Sequence, residues 1–141
     1  MVIKNRISVK DYQLLHKSVG WDLSNDRVVR SSLKNSHMIL SLYDEGKVIG
    51  MVRLVSDKAT HGMITDMIVL PEKQGKGYGK LLLTELTKRI QEFVNSKDQF
   101  LLELVPAKGK EEFYKKCGFN IDDTALLGAY KLFKNKNLYT Q

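Results

Sequence analysis

Three glycines at alternate positions, set between an apolar strand and a helix, constrain this chain more than any other feature. The predicted strand covers residues 64–70 and ends at Pro71, which cannot donate to a sheet ladder, and Gly75, Gly77 and Gly79 follow before helical periodicity begins. Glycine lets the backbone turn tightly and approach a ligand closely. The first amides of the helix lack intrahelical partners, and the helix dipole adds about half a positive charge there. The stretch therefore predicts a site for a ligand that carries phosphates.

Two common phosphate-binding motifs do not fit this loop. A P-loop requires glycine at position 74 and Ser or Thr at position 81, where the chain has Gln74 and Leu81. A dinucleotide-binding fingerprint requires glycine at position 80, where the chain has Lys80. Lys73, Lys76 and Lys80 nevertheless add positive charge around the loop, which keeps the prediction of an anionic ligand.

The loop and a later segment together resemble one known family. Residues 74–79, with the sequence Gln-Gly-Lys-Gly-Tyr-Gly, resemble the Gln/Arg-x-x-Gly-x-Gly/Ala loop of the GNAT superfamily of N-acetyltransferases, and the expected Val-x-Pro precedes them at 69–71. Residues 113–119, with the sequence Phe-Tyr-Lys-Lys-Cys-Gly-Phe, resemble the family's Leu-Tyr-x-x-x-Gly-Phe segment. The resemblance covers most of the chain and implies acetyl-CoA as the phosphate-bearing co-substrate.

The resemblance also implies which residues bind acetyl-CoA. Main-chain groups of Met67, Ile68 and Val69, left unpaired at a bulge of the fourth strand, would hold the pantetheine arm and the acetyl carbonyl, while their side chains serve the core. Ala107 stands where the family often has an asparagine that bonds the pantetheine. No metal is expected. The loop residues implied to bind the cofactor are Gln74, Gly75, Lys76, Gly77, Tyr78, Gly79 and Lys80.

The periodicity of apolar residues predicts a mixed α+β fold. The expected strands are 2–7, 37–43, 48–55, 62–70, 100–105, 119–121 and 127–133, and the expected helices are 8–20, 24–35, 77–95 and 106–118. The resemblance implies a GNAT-like, central, mostly antiparallel twisted sheet of six to seven strands, splayed between the fourth and fifth strands and flanked by about four helices. Residues 1–141 are expected to form a single domain, with 134–141 as a frayed tail.

Composition narrows the class of protein and of partner. The chain has 141 residues, 43% of them hydrophobic and 28% charged, which is ordinary for one soluble domain. Its net charge of +7 admits nucleic acid, but the lysines are dispersed and no nucleic-acid motif is present, so no nucleic-acid partner is expected. Cys117 is the only cysteine, and no apolar run has membrane-spanning or export-signal character. A cytoplasmic protein without a membrane partner is therefore expected.

Asp66 is the candidate general base. An alkyl amine with a pKa of about 10.4 is mostly ammonium at neutral pH and must lose a proton before it can attack. Many family members carry a carboxylate at the position of Asp66, often acting through water, but strand alternation could instead place Asp66 in a structural hydrogen bond on the other face. Met63 replaces the carboxylate that some members have on this strand, and His61 is the alternative base.

Tyr114 is the candidate that stabilises the leaving thiolate. It matches the family tyrosine that donates a proton or a hydrogen bond to the departing sulfur. Because tyrosine is a weaker acid than a thiol, hydrogen-bond donation is the expected role. The alternative is an aromatic side chain that packs its short helix. Cys117 has no histidine beside it in sequence, so direct transfer without an acyl-enzyme is expected.

The acceptor site carries the least specific sequence signal. The resemblance implies that the acceptor lies against the first two helices and the last hairpin, which makes Tyr12, Trp21 and Tyr130 candidate wall residues, although each also suits the core. Two functions follow. The first is an N-acetyltransferase acting on a primary amine of a small molecule or peptide in a ternary complex with acetyl-CoA; the second is a non-catalytic CoA-binding sensor. The resemblance also admits a homodimer.

Overall fold

A seven-stranded sheet with helices on both faces organises the described part of the chain. The computed structural model describes residues 1–95, 98–121 and 128–136. A short 3₁₀-helix, Pro71–Lys73, follows the fourth strand. The strands are β1 (Val2–Lys4), β2 (Met38–Asp44), β3 (Lys47–Ser56), β4 (His61–Val69), β5 (Gln99–Leu104), β6 (Asn120–Ile121) and β7 (Ala129–Lys134), and the α-helices are α1 (Val9–Ser18), α2 (Asp26–Lys34), α3 (Tyr78–Val94) and α4 (Glu111–Lys116).

The sheet is splayed where the fourth and fifth strands meet. Its order is β1-β2-β3-β4-β5-β7-β6, and every pairing is antiparallel except that of β4 with β5. Those two strands pair only from His61 opposite Leu101 to Met63 opposite Glu103, whereas β4 continues to Val69. The predicted α+β class, the mostly antiparallel sheet and the splay are confirmed.

Several predicted element ends are shifted. Ser8 caps α1 as predicted, its Oγ accepting from the Asp11 amide at 3.0 Å, but α2 is capped by Asn25 instead of Ser24. Asn and Ser are equally good caps, so sequence alone does not separate neighbours. β1 ends at Lys4, short of the predicted residue 7. α4 begins at Glu111 instead of 106, because a turn with Gly109 at a φ of +85° intervenes.

Part of the predicted final hairpin lies outside the described residues. The pairing of β6 with β7 is present, with Asn120 opposite Tyr130 and Ile121 opposite Ala129. The start of the predicted strand at residue 127 and the predicted tail beyond residue 136 fall outside the described ranges. Among the helices that the structure describes, none combines the length and apolar character needed to cross a bilayer.

Two apolar clusters pack the two faces of the sheet. The larger cluster packs α3 and α4 against β2 to β5 and β7, and the smaller packs α1 and α2 against β2 to β4. On β4, Ile64 belongs to the larger cluster and Ile68 to the smaller one. Residues four apart on a regular strand share a face, so the side-chain alternation of β4 reverses between them.

Candidate functional site

A β-bulge at Asp66 and Met67 causes that reversal. Arg53 pairs with Thr65, and Met51 pairs with Ile68, so Val52 alone faces two residues of β4. Asp66 has a φ of +54°, the left-handed region that Asp and Asn tolerate better than other side chains. The bulge turns the main chain that follows it, and this segment has no pairing with β5. Backbone groups at Met67 to Val69 are therefore placed at the open gap of the sheet.

The glycine loop follows directly and presents a row of free amides. Gly75 and Gly77 have φ values of +76° and +87°, which only glycine adopts without strain. Gly77 is the N-cap of α3 and provides no side-chain cap. Within the described ranges, the amides of residues 75–80 find no hydrogen-bond acceptor. Lys76 and Lys80 are exposed beside them. This arrangement can bind the oxygens of a phosphate group.

Gln74 anchors the loop to the bulged strand. Its Nε2 donates to the Val69 carbonyl oxygen at 3.0 Å. The resemblance assigned Gln74 to cofactor binding, and the structure shows that its amide is used within the protein. The Val69 carbonyl oxygen thus has one partner within the protein, and its role toward a ligand stays a prediction. The hydrogen bond connects the loop to the end of β4, two residues after the bulge.

Gly79 brings the bulge, the loop and α4 together. A Cβ at this position would lie 3.3 Å from Met67 Cε and 3.5 Å from Phe113 Cζ. The first turn of α3 can therefore sit against both β4 and the helix that carries Tyr114. The three segments that the sequence singled out separately meet at this glycine.

Tyr114 is buried, yet its hydroxyl is unbonded. Its side chain is 8% exposed and meets Phe113 and Phe119 edge to face, with ring centroids 5.0 and 6.0 Å away. Burial, and secondarily the neighbouring Cys117, raise the pKa of Tyr114. No hydrogen bond of this hydroxyl is found in the part of the chain that the structure describes, and the hydroxyl is not among the fully buried atoms without a partner, so it reaches solvent. It is a protonated donor that can serve a ligand.

Cys117, three residues later, remains a thiol. Burial raises the pKa of Cys117, and the opposing effects of Lys80 and Lys131 do not cancel that rise. The thiolate is the nucleophilic form, so the group is poorly suited to attack. This agrees with the expectation of direct transfer.

Asp66 is committed to two partners. Its Oδ1 lies 2.9 Å from His16 Nε2 and its Oδ2 accepts from Arg53 Nε at 2.6 Å, with the side chain only 10% exposed. Burial alone would raise the pKa of Asp66, but the hydrogen bond from His16 and the charge of Arg53 outweigh it and hold the pKa below its ordinary value. A carboxylate bonded in this way is a weak proton acceptor. Of the two interpretations of Asp66, the geometry therefore favours a structural role over that of general base.

His16 lies between two oxygen atoms. Its Nδ1 is 2.8 Å from the Tyr12 carbonyl oxygen, and its Nε2 is 2.9 Å from Asp66 Oδ1. The ring therefore joins α1 to the carboxylate. Neither His16 nor Arg53 was identified from the sequence. Two features of the sequence could have indicated them. His16 lies one helical turn after Tyr12, and Arg53 is the single charged residue in the otherwise apolar strand 48–55.

The candidate acceptor residues divide into two places. The Tyr12 ring stacks on His16 at 3.8 Å between centroids, and Trp21, 44% exposed, meets His16 edge-on at 5.5 Å. Both therefore lie beside the Asp66 cluster. Tyr130 lies on β7, opposite Glu103 of β5, which puts it two strands away from β4.

His61, the alternative base, forms a pair with Glu103. The two atoms His61 Nε2 and Glu103 Oε1 lie 2.5 Å apart, and both side chains are exposed. His61 is the first residue of β4 and pairs opposite Leu101, while Glu103 stands opposite Met63 at the last pairing of β4 with β5. Across residues 1–95, 98–121 and 128–136, no three His, Cys, Asp or Glu side chains gather as metal ligands would.

The lowered pKa of Asp66 makes a prediction about acid stability. Because the folded-state value lies below the ordinary 3.8, the carboxylate stabilises the fold above that pH, and the contribution is lost as pH falls through the folded-state pKa. Asp66→Asn should lower the free energy of unfolding at pH 7 by about 3 kcal/mol, since it leaves the buried Arg53 guanidinium without its counter-charge. Urea unfolding between pH 7 and pH 2.5 should show this difference shrinking below pH 3.8.

Asp22→Asn, at an exposed carboxylate, is the matched control and should track the parent protein at every pH. A stability difference for Asp66→Asn that stays constant across the acid range would contradict the assignment of an ionised, bonded carboxylate.

A family model and several known proteins match this chain. The model described as "Acetyltransferase (GNAT) domain" matches residues 35–121. The chain is 30% identical over 135 residues to the histone acetyltransferase TAP1 of Glycine max. That alignment covers 88% of the chain and 57% of the soybean protein, so the chain spans little more than half the length of that relative.

Two solved structures share the fold. The "probable acetyltransferase" SA2161 of meticillin-resistant Staphylococcus aureus superposes with a TM-score of 0.75 at 27% identity, covering 86% of this chain and 91% of that one. The PaiA N-acetyltransferase of Thermoplasma acidophilum, crystallised in complex with coenzyme A, superposes with a TM-score of 0.59 at 19% identity, covering 95% and 99%. The second likeness concerns the fold alone.

Proposed function

Because the chain belongs to the GNAT family of acetyltransferases, we propose that it transfers the acetyl group of acetyl-CoA to a primary amine by direct attack in a ternary complex. One observation carries the proposal. The free amides of residues 75–80 at the start of α3 are held by Gln74 and Gly79 against the bulged main chain of β4, on the side where it is not paired with β5. The amides and the open side of the strand together can take a ligand that is anionic at one end.

The proposed binding mode divides acetyl-CoA between two surfaces. The pyrophosphate binds the amides of 75–80 at the N-terminus of α3, with Lys76 and Lys80 adding charge. The pantetheine arm and the acetyl carbonyl lie along the bulge, where main-chain groups of Met67 and Ile68 face the gap between β4 and β5. Donors fixed in the backbone need no reorganisation as charge develops on the carbonyl oxygen.

Tyr114 is proposed to stabilise the departing thiolate. Its hydroxyl is unbonded, and its raised pKa keeps it protonated at neutral pH. The side chain is largely buried while its hydroxyl reaches solvent, so a ligand can approach the donor. Donation of a hydrogen bond, without full transfer of the proton, is the role that this chemistry supports.

The proton of the attacking amine is proposed to leave through the pair formed by His61 and Glu103. The Asp66 carboxylate is held by Arg53 and His16, whereas the His61–Glu103 pair is exposed, with Glu103 at the last pairing of β4 with β5. Because His61 Nε2 bonds to Glu103, its Nδ1 stays available to accept a proton through water. A primary amine of a small molecule or a peptide fits this open site.

The commitment of Asp66 favours a second candidate function. If no proton acceptor operates, the same loop and bulge would bind CoA without turnover, as a sensor. Binding and turnover therefore have to be measured on the same preparation.

Substitution of Tyr114 tests the catalytic proposal. Acetyl-CoA turnover, followed as thiol release over a panel of amines and peptides, should reveal at least one acceptor. With that acceptor, Tyr114→Phe should lower kcat by roughly 10²-fold, because one hydrogen bond to the charged leaving group is lost. The KM for acetyl-CoA should change little. Tyr43→Phe, at a buried tyrosine bonded to Asp11 away from the gap, should leave turnover unchanged.

Each other outcome of that experiment has a separate meaning. Full activity in a folded Tyr114→Phe variant would remove its catalytic role. Saturable CoA binding without turnover on any amine would favour the sensor. Absence of CoA binding would overturn both candidate functions.

Substitution of His61 tests the proposed route of the proton. His61→Gln should lower kcat at pH 7 by about 10²-fold, because the side chain proposed to take the proton is lost. His37→Gln is the matched control, since His37 bonds Ser56 at the start of β2. An unaltered kcat in a folded His61→Gln variant would contradict the assignment.

A further inference from the structure

We propose that the cluster of Arg53, Asp66 and His16 couples acetyl-CoA binding at the bulge to helices α1 and α2, with Asp66 as the positioning residue. The inference rests on the proposed function, because it takes the bulge as the acetyl-CoA site and the side of α1 and α2 as the acceptor site. It assigns Asp66 a role that needs no proton transfer.

The main chain of Asp66 is itself part of the bulge. It occupies one of the two positions that face Val52, directly before Met67, and its φ of +54° is held against the usual preference of an L residue. A backbone in this conformation persists only when its surroundings fix it. Any adjustment of the bulge on binding a ligand therefore displaces the carboxylate as well.

His16 connects the carboxylate to α1. The imidazole ring bridges Asp66 Oδ1 and the Tyr12 carbonyl oxygen, at 2.9 and 2.8 Å. Tyr12 stacks on the same ring, and Trp21 meets its edge. Burial, with the nearby Asp66 carboxylate next in effect, raises the pKa of Tyr12. A movement of Asp66 is thus transmitted through the His16 ring to both Tyr12 and Trp21, the candidate acceptor residues of this region.

Arg53 connects the carboxylate to α2. Its Nε donates to Asp66, while Nη1 lies 3.3 Å from Ser36 Oγ and 3.5 Å from the Ser32 carbonyl oxygen. Ser32 is in the last turns of α2 and Ser36 follows its C-cap. One planar guanidinium therefore spans from the bulge to the end of the second helix.

The charges of the cluster make it a stiff link. The buried Arg53 guanidinium and the buried His16 ring face one carboxylate, and each of the two carboxylate oxygens has a partner. Neither partner can withdraw without leaving a buried charged or polar atom poorly compensated. The bulge, α1 and α2 consequently move together or not at all. By thermodynamic reciprocity, a ligand at the bulge and an amine beside the helices then affect the affinity of each other.

Hydrogen exchange with acetyl-CoA as the probe tests the link without an identified acceptor. In the parent protein, saturating acetyl-CoA should slow exchange at residues 66–80, and it should also slow exchange in α1 and α2 by about fivefold or more. In Asp66→Asn, acetyl-CoA should still slow exchange at residues 66–80. Its slowing of exchange in α1 and α2 should be half that of the parent protein or less. Asn tolerates the same left-handed backbone, so the bulge itself is kept.

Two further variants make the test independent of how well Asp66→Asn folds. Ser36→Ala removes the Oγ partner of Arg53 without touching Asp66, and it should weaken the response of α2 while that of α1 persists. Asp11→Asn is the matched control, because this carboxylate on α1 bonds Tyr43 and not the bulge. In this variant, acetyl-CoA should slow exchange in α1 and α2 as much as in the parent protein.

The outcomes separate the two proposals. If acetyl-CoA fails to protect residues 66–80 in the parent protein, the proposed function is overturned at its binding step. If it protects them while α1 and α2 do not respond, or if Asp66→Asn and Ser36→Ala respond fully, the coupling is overturned and the proposed function stands.

Discussion

The bulge at Asp66 and Met67 is the constraint on which the rest of this structure depends. One extra residue on β4 reverses the side-chain alternation, so that Ile64 and Ile68 pack into the clusters on opposite faces of the sheet. The pairing of β4 with β5 ends before the bulge, at Met63 opposite Glu103, and β5 itself ends at Leu104. The bulge therefore lies in the part of β4 that is open on its β5 side, and the start of α3 is positioned against it.

Buried charge keeps that bulge in place and also decides what Asp66 can do. A carboxylate strong enough to hold Arg53 and His16 together has a lowered pKa, which is unfavourable for a base. Tyr114 shows the opposite arrangement, because burial raises its pKa and leaves its hydroxyl unbonded. The ionised Asp66 carboxylate has its hydrogen bonds within the protein and is suited to positioning. The neutral Tyr114 hydroxyl has none there and is suited to donating to a ligand.

Local features of the fold could be read from the sequence, and long-range ones could not. The glycine loop, the apolar stripe of α3, the strands of the meander and the cap of α1 each depend on neighbours within a few residues. The partners of Asp66 are 13 and 50 residues away, so no local pattern contains them. The bulge itself was expected through family resemblance, and the occupation of the Val69 carbonyl by Gln74 was not anticipated. Alternation along β4 would have misassigned the face of every residue after Asp66.

The most direct measurement is a titration of the ¹⁵N-labelled protein with CoA, followed through its backbone amide resonances. The account predicts saturable shifts that are largest at residues 75–80, where the amides are free, and at residues 67–69 of the bulge. Saturable shifts confined to other surfaces, or spectra that do not change at millimolar CoA, would contradict the claim that this loop and this bulge form one acetyl-CoA site.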